Sequence, residues 1–233
     1  MQQLPLEIRL ADHAVFENFV AVGNELLIHQ LSSPASGPGT EMLWLWGSPG
    51  SGRTHLLQAC ITAATDRGQR AAYVPLHRSH GLPPGILDGL GVFDAVALDD
   101  IDGIAGDAAF EAAIFRLYEE LRRTGGRLIA SGGSAPAEVH FRLRDLSSRL
   151  QSGGAYRVKT LDDAGRLAAL QIRARFRGFE LPEDTARYLL NHAPRDTASL
   201  FGVLDALDRA SLAAQKHLTI PFVRSVLAKP GQQ

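Results

Sequence analysis

The chain has 233 residues, 45% of them hydrophobic and 21% charged, with a formal net charge of -1. This composition excludes a disordered or collagen-like chain, and the balanced charge argues against a dedicated nucleic-acid binder. The single cysteine, Cys60, excludes an internal disulfide. The sequence contains no apolar run long enough to span a membrane and begins with no signal-peptide pattern, so we expect a cytoplasmic protein without membrane contact.

Strand-sized apolar runs alternate with helical patterns over the first two thirds of the sequence. A helical segment precedes a loop at 33–40 that is rich in Ser, Pro and Gly. Five runs follow: MLWLW at 42–46, AAYVPL at 71–76, AVALDD at 95–100, RLIASG at 127–132 and YRVKTL at 156–161. Between two of them, 107–124 repeats apolar residues every three or four positions, as an amphipathic helix does. The alternation predicts an α/β fold with a five-stranded parallel sheet covered on both faces.

The last third of the sequence reads as helical throughout. Helical patterns occupy 162–177, 182–193 and 196–215, and a short one starts at Pro221. The second begins with a proline and two acidic residues, which suits the first turn of a helix. We therefore expect the α/β body to be followed by a helical lid.

A glycine-rich motif directly follows the first predicted strand and precedes the helical HLLQACITAA. It reads Gly47-Ser48-Pro49-Gly50-Ser51-Gly52-Arg53-Thr54. Glycines let the backbone turn its N–H groups inward, and the helix N-terminus behind them adds positive potential for phosphates. We assign these residues and His55 to nucleotide binding, with Thr54 as an Mg²⁺ ligand. The alternative is a glycine-rich strand-to-helix turn.

Arg53 departs from the phosphate-loop pattern GxxxxGK[S/T], in which this position is Lys. Arginine keeps the positive charge but exchanges a compact ammonium for a broad planar fork. Binding of a β-phosphate is compatible with this exchange. Positioning of a γ-phosphate is placed in doubt.

Two acidic residues, Asp99 and Asp100, end the predicted strand AVALDD. In-line phosphoryl transfer needs a fixed metal ion and a positioned nucleophile. We predict that Asp99 holds the Mg²⁺ shell and that Asp100 orients an attacking water. Two acids after a strand are more often a turn, but the upstream glycine loop favours the functional interpretation.

Several short sequence segments, spread over essentially the whole chain, together resemble a known family. FENFV at 16–20 with Gly23 and Asn24, LDDIDGIAGD at 98–107 and LRDLSSRL at 143–150 are similar to the AAA+ domain of the bacterial replication initiator DnaA. RARFRGFELPED, LDALDRASLAAQ and KHLTIPFV resemble more closely the Hda family of DnaA-related regulators. The resemblance implies an AAA+ domain at 11–161 and a lid at 162–233, without the DNA-reading domain of DnaA.

The resemblance also implies roles for individual residues. The family encloses adenine at the positions of Phe16, Phe19, Val20 and Asn24. These side chains would form an apolar wall and supply one amide. A core-facing helix stripe is the alternative for the two phenylalanines. Arg149 matches the arginine finger that an AAA+ subunit extends to its neighbour's nucleotide, where a guanidinium stabilises transition-state charge. Without the resemblance, a solvated cap at the helix end would be the simpler interpretation.

The first residues resemble a short sliding-clamp-binding peptide, and we assign residues 1–10 to this function. The side-chain amide of Gln3 can both donate and accept hydrogen bonds, and the alternating residues Leu4, Leu6 and Ile8 would serve as apolar anchors. An ordinary edge strand would alternate in the same way. The terminal position and the family resemblance favour clamp binding.

Two further positions depart from the family pattern around the γ-phosphate. Ser131 stands nearest to the polar sensor-one residue, commonly Asp in DnaA relatives. Ala198 occupies the place of the sensor-two arginine, with Arg195 three residues earlier as a possible substitute. Together with Arg53, these departures predict a protein that binds nucleotide, ADP in particular, with Mg²⁺ and hydrolyses ATP weakly or not at all.

The resemblance implies regulatory inactivation of DnaA. The chain would stimulate hydrolysis of DnaA-bound ATP in complex with the DNA-loaded sliding clamp, and so regulate replication initiation negatively. Expected partners are DnaA, the clamp, DNA indirectly through the clamp, and further copies of this chain. Two alternatives stay open: an autonomous AAA+ ATPase acting as a loader or remodeller, and a scaffold that uses only its N-terminal peptide.

Overall fold

The computed structural model describes residues 14–33, 42–76, 81, 83–194, 196–214 and 217–227. The chain divides into two compact units. The first runs through Phe19 and resumes at Asn24–Lys159, and the second consists of Val20–Gly23 and the chain from Thr160 onward. The predicted clamp-binding residues Gln3, Leu4, Leu6 and Ile8 and the candidate Arg195 lie outside the described residues.

A five-stranded parallel sheet forms the centre of the first unit, which confirms the predicted fold class. Its strands are β1 (Met42–Trp46), β2 (Ala71–Pro75), β3 (Ala95–Asp99), β4 (Arg127–Gly132) and β5 (Gly154–Arg157). They are ordered β2-β3-β4-β1-β5, and all neighbouring pairs are parallel. Every residue of β3 and β4 is buried, as the continuous apolar runs of a parallel sheet predict.

The predicted position of the fifth strand, 156–161, is wrong. β5 starts two residues earlier, immediately after Gly153, which has no side chain where a Cβ would clash with the Met42 carbonyl. The strand also ends earlier than predicted. Val158 still donates its N–H to the Trp46 carbonyl at 2.7 Å, but the backbone of Lys159 bonds to the side chain of Asn24 instead of the sheet.

Helices cover both faces of this sheet: α1 (Glu25–Ser32), α2 (Arg53–Asp66), α3 (Ala108–Thr124) and α4 (Arg144–Ser152). Alternate strand residues separate two cores, because successive side chains of a strand point to opposite faces. Trp44 packs in the core with α3 and α4, whereas Leu43 and Leu45 pack in the core with α1 and α2. The predicted helix at 107–124 is confirmed: Asp107 caps its N-terminus, and Gly125 adopts a φ of 81° after its last residue.

Four helices build the second unit: α5 (Asp163–Phe176), α6 (Glu183–His192), α7 (Thr197–Ala214) and α8 (Ile220–Leu227). Each lies within two residues of its predicted range where a range was predicted. Their apolar faces form one core that includes Leu170, Leu189, Leu204 and Leu207. Among the described helices, none combines the length and apolarity needed to cross a membrane.

Candidate functional site

The glycine loop connects the C-terminal end of β1 to the first turn of α2. Gly50 and Gly52 have φ angles of 77° and 99°, a region that glycine occupies without strain. A Cβ on Gly52 would also lie 2.7 Å from the Phe19 ring. Ser48 and Pro49 are exposed at the crest of the loop. The sequence therefore folds locally into an open backbone cradle in front of a helix N-terminus.

A buried hydroxyl within this cradle is compatible with a phosphate ligand. Ser51 is 5% exposed, and its Oγ has no hydrogen-bond partner among the residues that the structure describes. A buried polar group without a partner is unfavourable unless a ligand or water satisfies it. The residues present thus fit a phosphate group at the loop.

Arg53 bridges the start of the loop and the end of β3. Its Nη1 donates to the Gly47 carbonyl, and its Nη2 donates to Asp100 Oδ1 at 2.7 Å. The side chain of Arg53 is only 12% exposed and that of Asp100 is 30% exposed. The guanidinium gives each acceptor its own nitrogen, which is the geometric property that distinguishes arginine from lysine.

Asp99 is the buried centre of the cluster and accepts three hydroxyl hydrogen bonds. Thr54 and Tyr73 each donate to Oδ2 at 2.7 Å, and Ser131 donates to Oδ1. Asp99 itself is 4% exposed. The hydroxyl of Thr54 beside this carboxylate fits the preference of Mg²⁺ for oxygen ligands. The structure thus brings together Thr54 and Asp99, the two residues that the sequence assigns to the metal.

Tyr73 is a member of this cluster that the sequence analysis missed. It lies in the middle of β2, where an aromatic residue reads as ordinary strand packing. Parallel pairing sets Tyr73 opposite Ala97 on β3, within reach of Asp99 at the end of that strand. Burial, and secondarily the charge of Asp99, raise the pKa of Tyr73 far above its usual value, so its hydroxyl stays a donor.

Asp100 leaves β3 in a left-handed backbone conformation, with φ of 55° and ψ of 48°. Among the described residues it is the only non-glycine with a positive φ. Its N–H donates to Ser131 Oγ at 2.9 Å, so one buried serine binds both acids. Burial, and next the charge of Asp99, raise the pKa of Asp100, while Arg53 opposes the shift.

The aromatic residues assigned to the adenine wall lie beside the loop. Phe16 starts a short 3₁₀ helix, Phe16–Asn18, and Phe19 follows it, so the pair does not form a stripe on an α-helix. Both pack against the core of α1 and α2. The ring centroids of Phe19 and His55 are 5.5 Å apart, and His55 Nε2 lies 3.0 Å from the Val15 carbonyl oxygen. The adenine contact stays a prediction.

Asn24 has a structural partner that the sequence did not indicate. Its side-chain oxygen accepts from Lys159 N at 2.9 Å, and its side-chain nitrogen donates to Lys159 O at 3.2 Å. The residue is 3% exposed. Asn24 therefore ties the start of α1 to the chain that follows β5. Val20, also assigned to adenine, is 8% exposed and belongs to the second unit.

Arg149 lies in the last turn of α4, and its side chain is 45% exposed. Its Nε is 3.6 Å from Glu119 Oε1 on α3, whose other oxygen is 3.5 Å from Arg122. A pair at this distance and exposure constrains the guanidinium weakly. The arrangement presents a cation at the surface of the first unit.

The start of α4 is fixed by a buried acid that the sequence analysis also missed. Glu111 on α3 is fully buried and accepts from the N–H groups of Gly106, Arg142 and Leu143, at 2.7, 3.1 and 2.7 Å. A charged acceptor of three backbone donors is strongly held. Glu111 thus fixes the segment that leads into the helix carrying Arg149.

Together, the parallel sheet, the loop after β1, the paired acids after β3 and the C-terminal helices define an AAA+ P-loop NTPase fold. Domain III of the Thermotoga maritima replication initiation protein DnaA is 22% identical, with a TM-score of 0.77 over 93% of this chain and 98% of that chain. AMPPCP-bound DnaA from Aquifex aeolicus is 20% identical, with a TM-score of 0.64 over 82% of this chain and 63% of that chain.

A more distant structure, the Thermotoga maritima RuvB Holliday junction branch migration motor, is 13% identical, with a TM-score of 0.63 over 88% of this chain and 68% of that chain. The lid is more specific: residues 163–227 match the family model described as Hda, lid domain. The fold of the chain is thus that of DnaA-like AAA+ proteins, and residues 163–227 are similar to the lid domain of Hda.

Proposed function

We propose that this protein inactivates the replication initiator DnaA by stimulating hydrolysis of DnaA-bound ATP, in complex with the DNA-loaded sliding clamp. The observation that carries the proposal is the half-exposed, loosely paired guanidinium of Arg149 at the surface of the first unit. The lid-domain match and the DnaA-like fold support the choice of DnaA as the partner. The protein thereby acts as a negative regulator of replication initiation.

The protein's own nucleotide site serves a binding role in this proposal. The loop from Gly47 to Thr54 holds the phosphates of ADP or ATP, Thr54 and Asp99 hold Mg²⁺, and Phe16, Phe19, Val20, Asn24, His55 and Arg195 surround the rest of the nucleotide. DnaA relatives with this fold bind AMPPCP, which supports the assignment. Arg53 donates to Oδ1 of Asp100, the residue predicted to orient the attacking water, which supports weak hydrolysis at this site.

Arg149 acts on the nucleotide of DnaA, not on the one bound by its own chain. A guanidinium that reaches the γ-phosphate stabilises the charge that develops on the transferring phosphoryl group. The N-terminal peptide, residues 1–10 with Gln3, Leu4, Leu6 and Ile8, docks on the clamp and brings the protein to DNA. The AAA+ unit at 11–161 binds the nucleotide, the lid at 162–233 follows it, and the protein associates with further copies of itself.

The test measures hydrolysis of ATP prebound to cognate DnaA, with clamp loaded on DNA, for the wild type and Arg149→Ala. Arg144→Ala is the matched control, because Arg144 is exposed on the same helix. We expect Arg149→Ala to reduce hydrolysis to the rate of DnaA alone, and Arg144→Ala to retain stimulation. An equal loss in both variants would contradict a finger role and indicate a recognition surface.

Two outcomes would favour the alternatives. If the chain alone turns over ATP while DnaA-bound ATP is unaffected, it is an autonomous AAA+ ATPase. If stimulation needs Leu4 and Leu6 but not Arg149, the protein is a clamp-bound scaffold.

A further inference from the structure

Arg53 and Asp100 form a closed ion pair inside the proposed nucleotide site. Each partner is held on a second side: Arg53 by the Gly47 carbonyl, and the Asp100 backbone by Ser131 Oγ at 2.9 Å. The side-chain oxygen and nitrogen that join them are 2.7 Å apart, and both side chains are largely shielded from solvent. This pair is therefore more constrained than an exposed ion pair.

The ion pair with Asp100 limits which phosphates Arg53 can contact. In the phosphate-loop pattern, the cation at this position reaches the β- and γ-phosphates. Here one face of the cation already meets a carboxylate, and that carboxylate adjoins Asp99. A γ-phosphate would add negative charge next to two acids and compete with Asp100 for the same guanidinium. A diphosphate loses only the contact of the cation with its β-phosphate, and the loop N–H groups and the helix N-terminus still bind it.

We infer that Asp100 is a specificity-determining residue, which makes the site prefer a nucleoside diphosphate to a triphosphate by withholding Arg53 from the γ-phosphate. This inference rests on the nucleotide site proposed above. It also gives a reason for arginine at position 53, since a fork satisfies Gly47 and Asp100 with separate nitrogens. The backbone of Asp100 reinforces the discrimination, because its bond to Ser131 limits how far the carboxylate can withdraw.

The experiment compares binding of ADP and of the non-hydrolysable triphosphate AMPPCP to the full chain by isothermal titration calorimetry, with Mg²⁺. Asp100→Asn keeps the size of the side chain and removes its charge. We expect the ratio of the dissociation constants, AMPPCP over ADP, to fall at least about tenfold, the scale of one removed like-charge contact near a protein surface. Asp88→Asn is the control, because the Asp88 side chain is 72% exposed and its ion pair with Arg116 spans 4.0 Å.

Arg53→Lys tests the same pair from the cation side. Lysine keeps the charge but concentrates it on one flexible nitrogen, so the hold of Gly47 and Asp100 on the cation weakens and the ratio falls in the same direction. Tryptophan fluorescence melts report whether each variant folds. An unchanged ratio in the folded variants, or a loss of both affinities by the same factor, would overturn the inference, and Arg53→Lys decides alone if Asp100→Asn does not fold.

Failure of the proposed function is distinguishable, because nucleotide binding and DnaA-directed hydrolysis are measured separately. A wild-type chain that binds neither nucleotide refutes both ideas. A wild-type chain that binds ADP and AMPPCP equally refutes only the discrimination by Asp100. A chain with the expected ratios that leaves DnaA-bound ATP intact refutes only the regulatory role.

Discussion

The two units of the chain bury different kinds of side chain. Among the described residues, the buried polar and charged side chains of the first unit are Asn24, Ser51, Gln58, Asp99, Glu111, Arg127 and Ser131. In the lid the corresponding residue is Thr185. Buried polar groups are unfavourable unless they are hydrogen-bonded, so we expect them where they bind a ligand or hold a segment of the chain in place. The buried polar side chains thus concentrate in the α/β unit, whereas the core of the lid is apolar, with the ion pairs of Arg173 and Arg177 to Asp205 beside it.

The sequence similarity to a specific family lies in the other unit, the lid. RuvB shares the fold over 88% of this chain at 13% identity, whereas the match to the Hda model covers the lid at 163–227. The match to a specific family thus lies in the unit with the apolar core.

The largest expected effect tests whether loss of apolar packing in the lid leaves the α/β unit unaffected. Leu204 is fully buried in α7, so Leu204→Ala should lower the free energy of unfolding by about 2–5 kcal/mol. Urea unfolding is followed by circular dichroism and by tryptophan fluorescence. Both tryptophans, Trp44 and Trp46, lie in β1, so fluorescence reports on the α/β unit alone.

If the two units are stabilised separately, Leu204→Ala shifts the circular dichroism transition to lower urea and leaves the fluorescence transition in place. The control is Leu212→Ala on the same helix, because Leu212 is 73% exposed and contributes little. A fluorescence transition that moves with the circular dichroism transition would show that the units unfold together.

The second effect tests the polar interior of the α/β unit. Asn24→Ala removes both bonds to Lys159 and leaves a peptide N–H and a carbonyl without that partner. We expect a loss of about 1–3 kcal/mol, at about 0.5–1.5 kcal/mol for each of the two hydrogen bonds. Asn191→Ala in the lid is the matched control, since Asn191 is exposed. Equal losses in a urea titration would remove the contrast between the units.

Local sequence signals were enough to predict the parallel sheet, the glycine loop and the acids after β3. Each depends on a short pattern: an apolar run, glycines where φ is positive, or acids at a strand end. The lid helices were predicted for the same reason, because their apolar spacing is continuous. The position of the edge strand β5 was not predicted. The close approach of Gly153 to Met42 decides where this strand starts, and the contact of Lys159 with Asn24 decides where it ends.

Contacts between residues distant in sequence were not predictable from a single chain. Tyr73 reaches Asp99 only because of the register between β2 and β3, and Asn24 meets Lys159 across 135 positions. Arg53 was recognised as a departure, but its partners Gly47 and Asp100 could not be read from the motif. The sequence identified the participants, and the pairing among them needed the fold.

A pH effect tests burial of the thiol in α2. Burial raises the pKa of Cys60 to about 12. Above the ordinary thiol pKa of about 8.5, the unfolded chain loses its proton while the folded chain retains it. The folded state then binds more protons, so the free energy of unfolding falls as pH rises, by at most about 1.4 kcal/mol per pH unit from this group.

Urea unfolding at about pH 8 and about pH 10 measures this slope for the wild type and Cys60→Ala. The difference between the two slopes isolates the thiol, because Tyr73 and the other groups are common to both chains. Parallel slopes would show that Cys60 titrates normally and that this part of the core admits water.

The smallest expected effect concerns the surface of the α/β unit. Glu119 and Arg149 are 35% and 45% exposed and 3.6 Å apart, so Glu119→Gln should change the free energy of unfolding by less than about 0.5 kcal/mol. For the same reason we expect DnaA-directed hydrolysis to stay within about twofold of the wild type, in contrast to Arg149→Ala. If Glu119→Gln abolished stimulation while the protein stayed folded, the charge of Glu119 would be orienting the guanidinium. Polar contacts would then fix side chains at the surface of the α/β unit as well as in its interior, and the two units would differ by more than the number of their buried polar side chains.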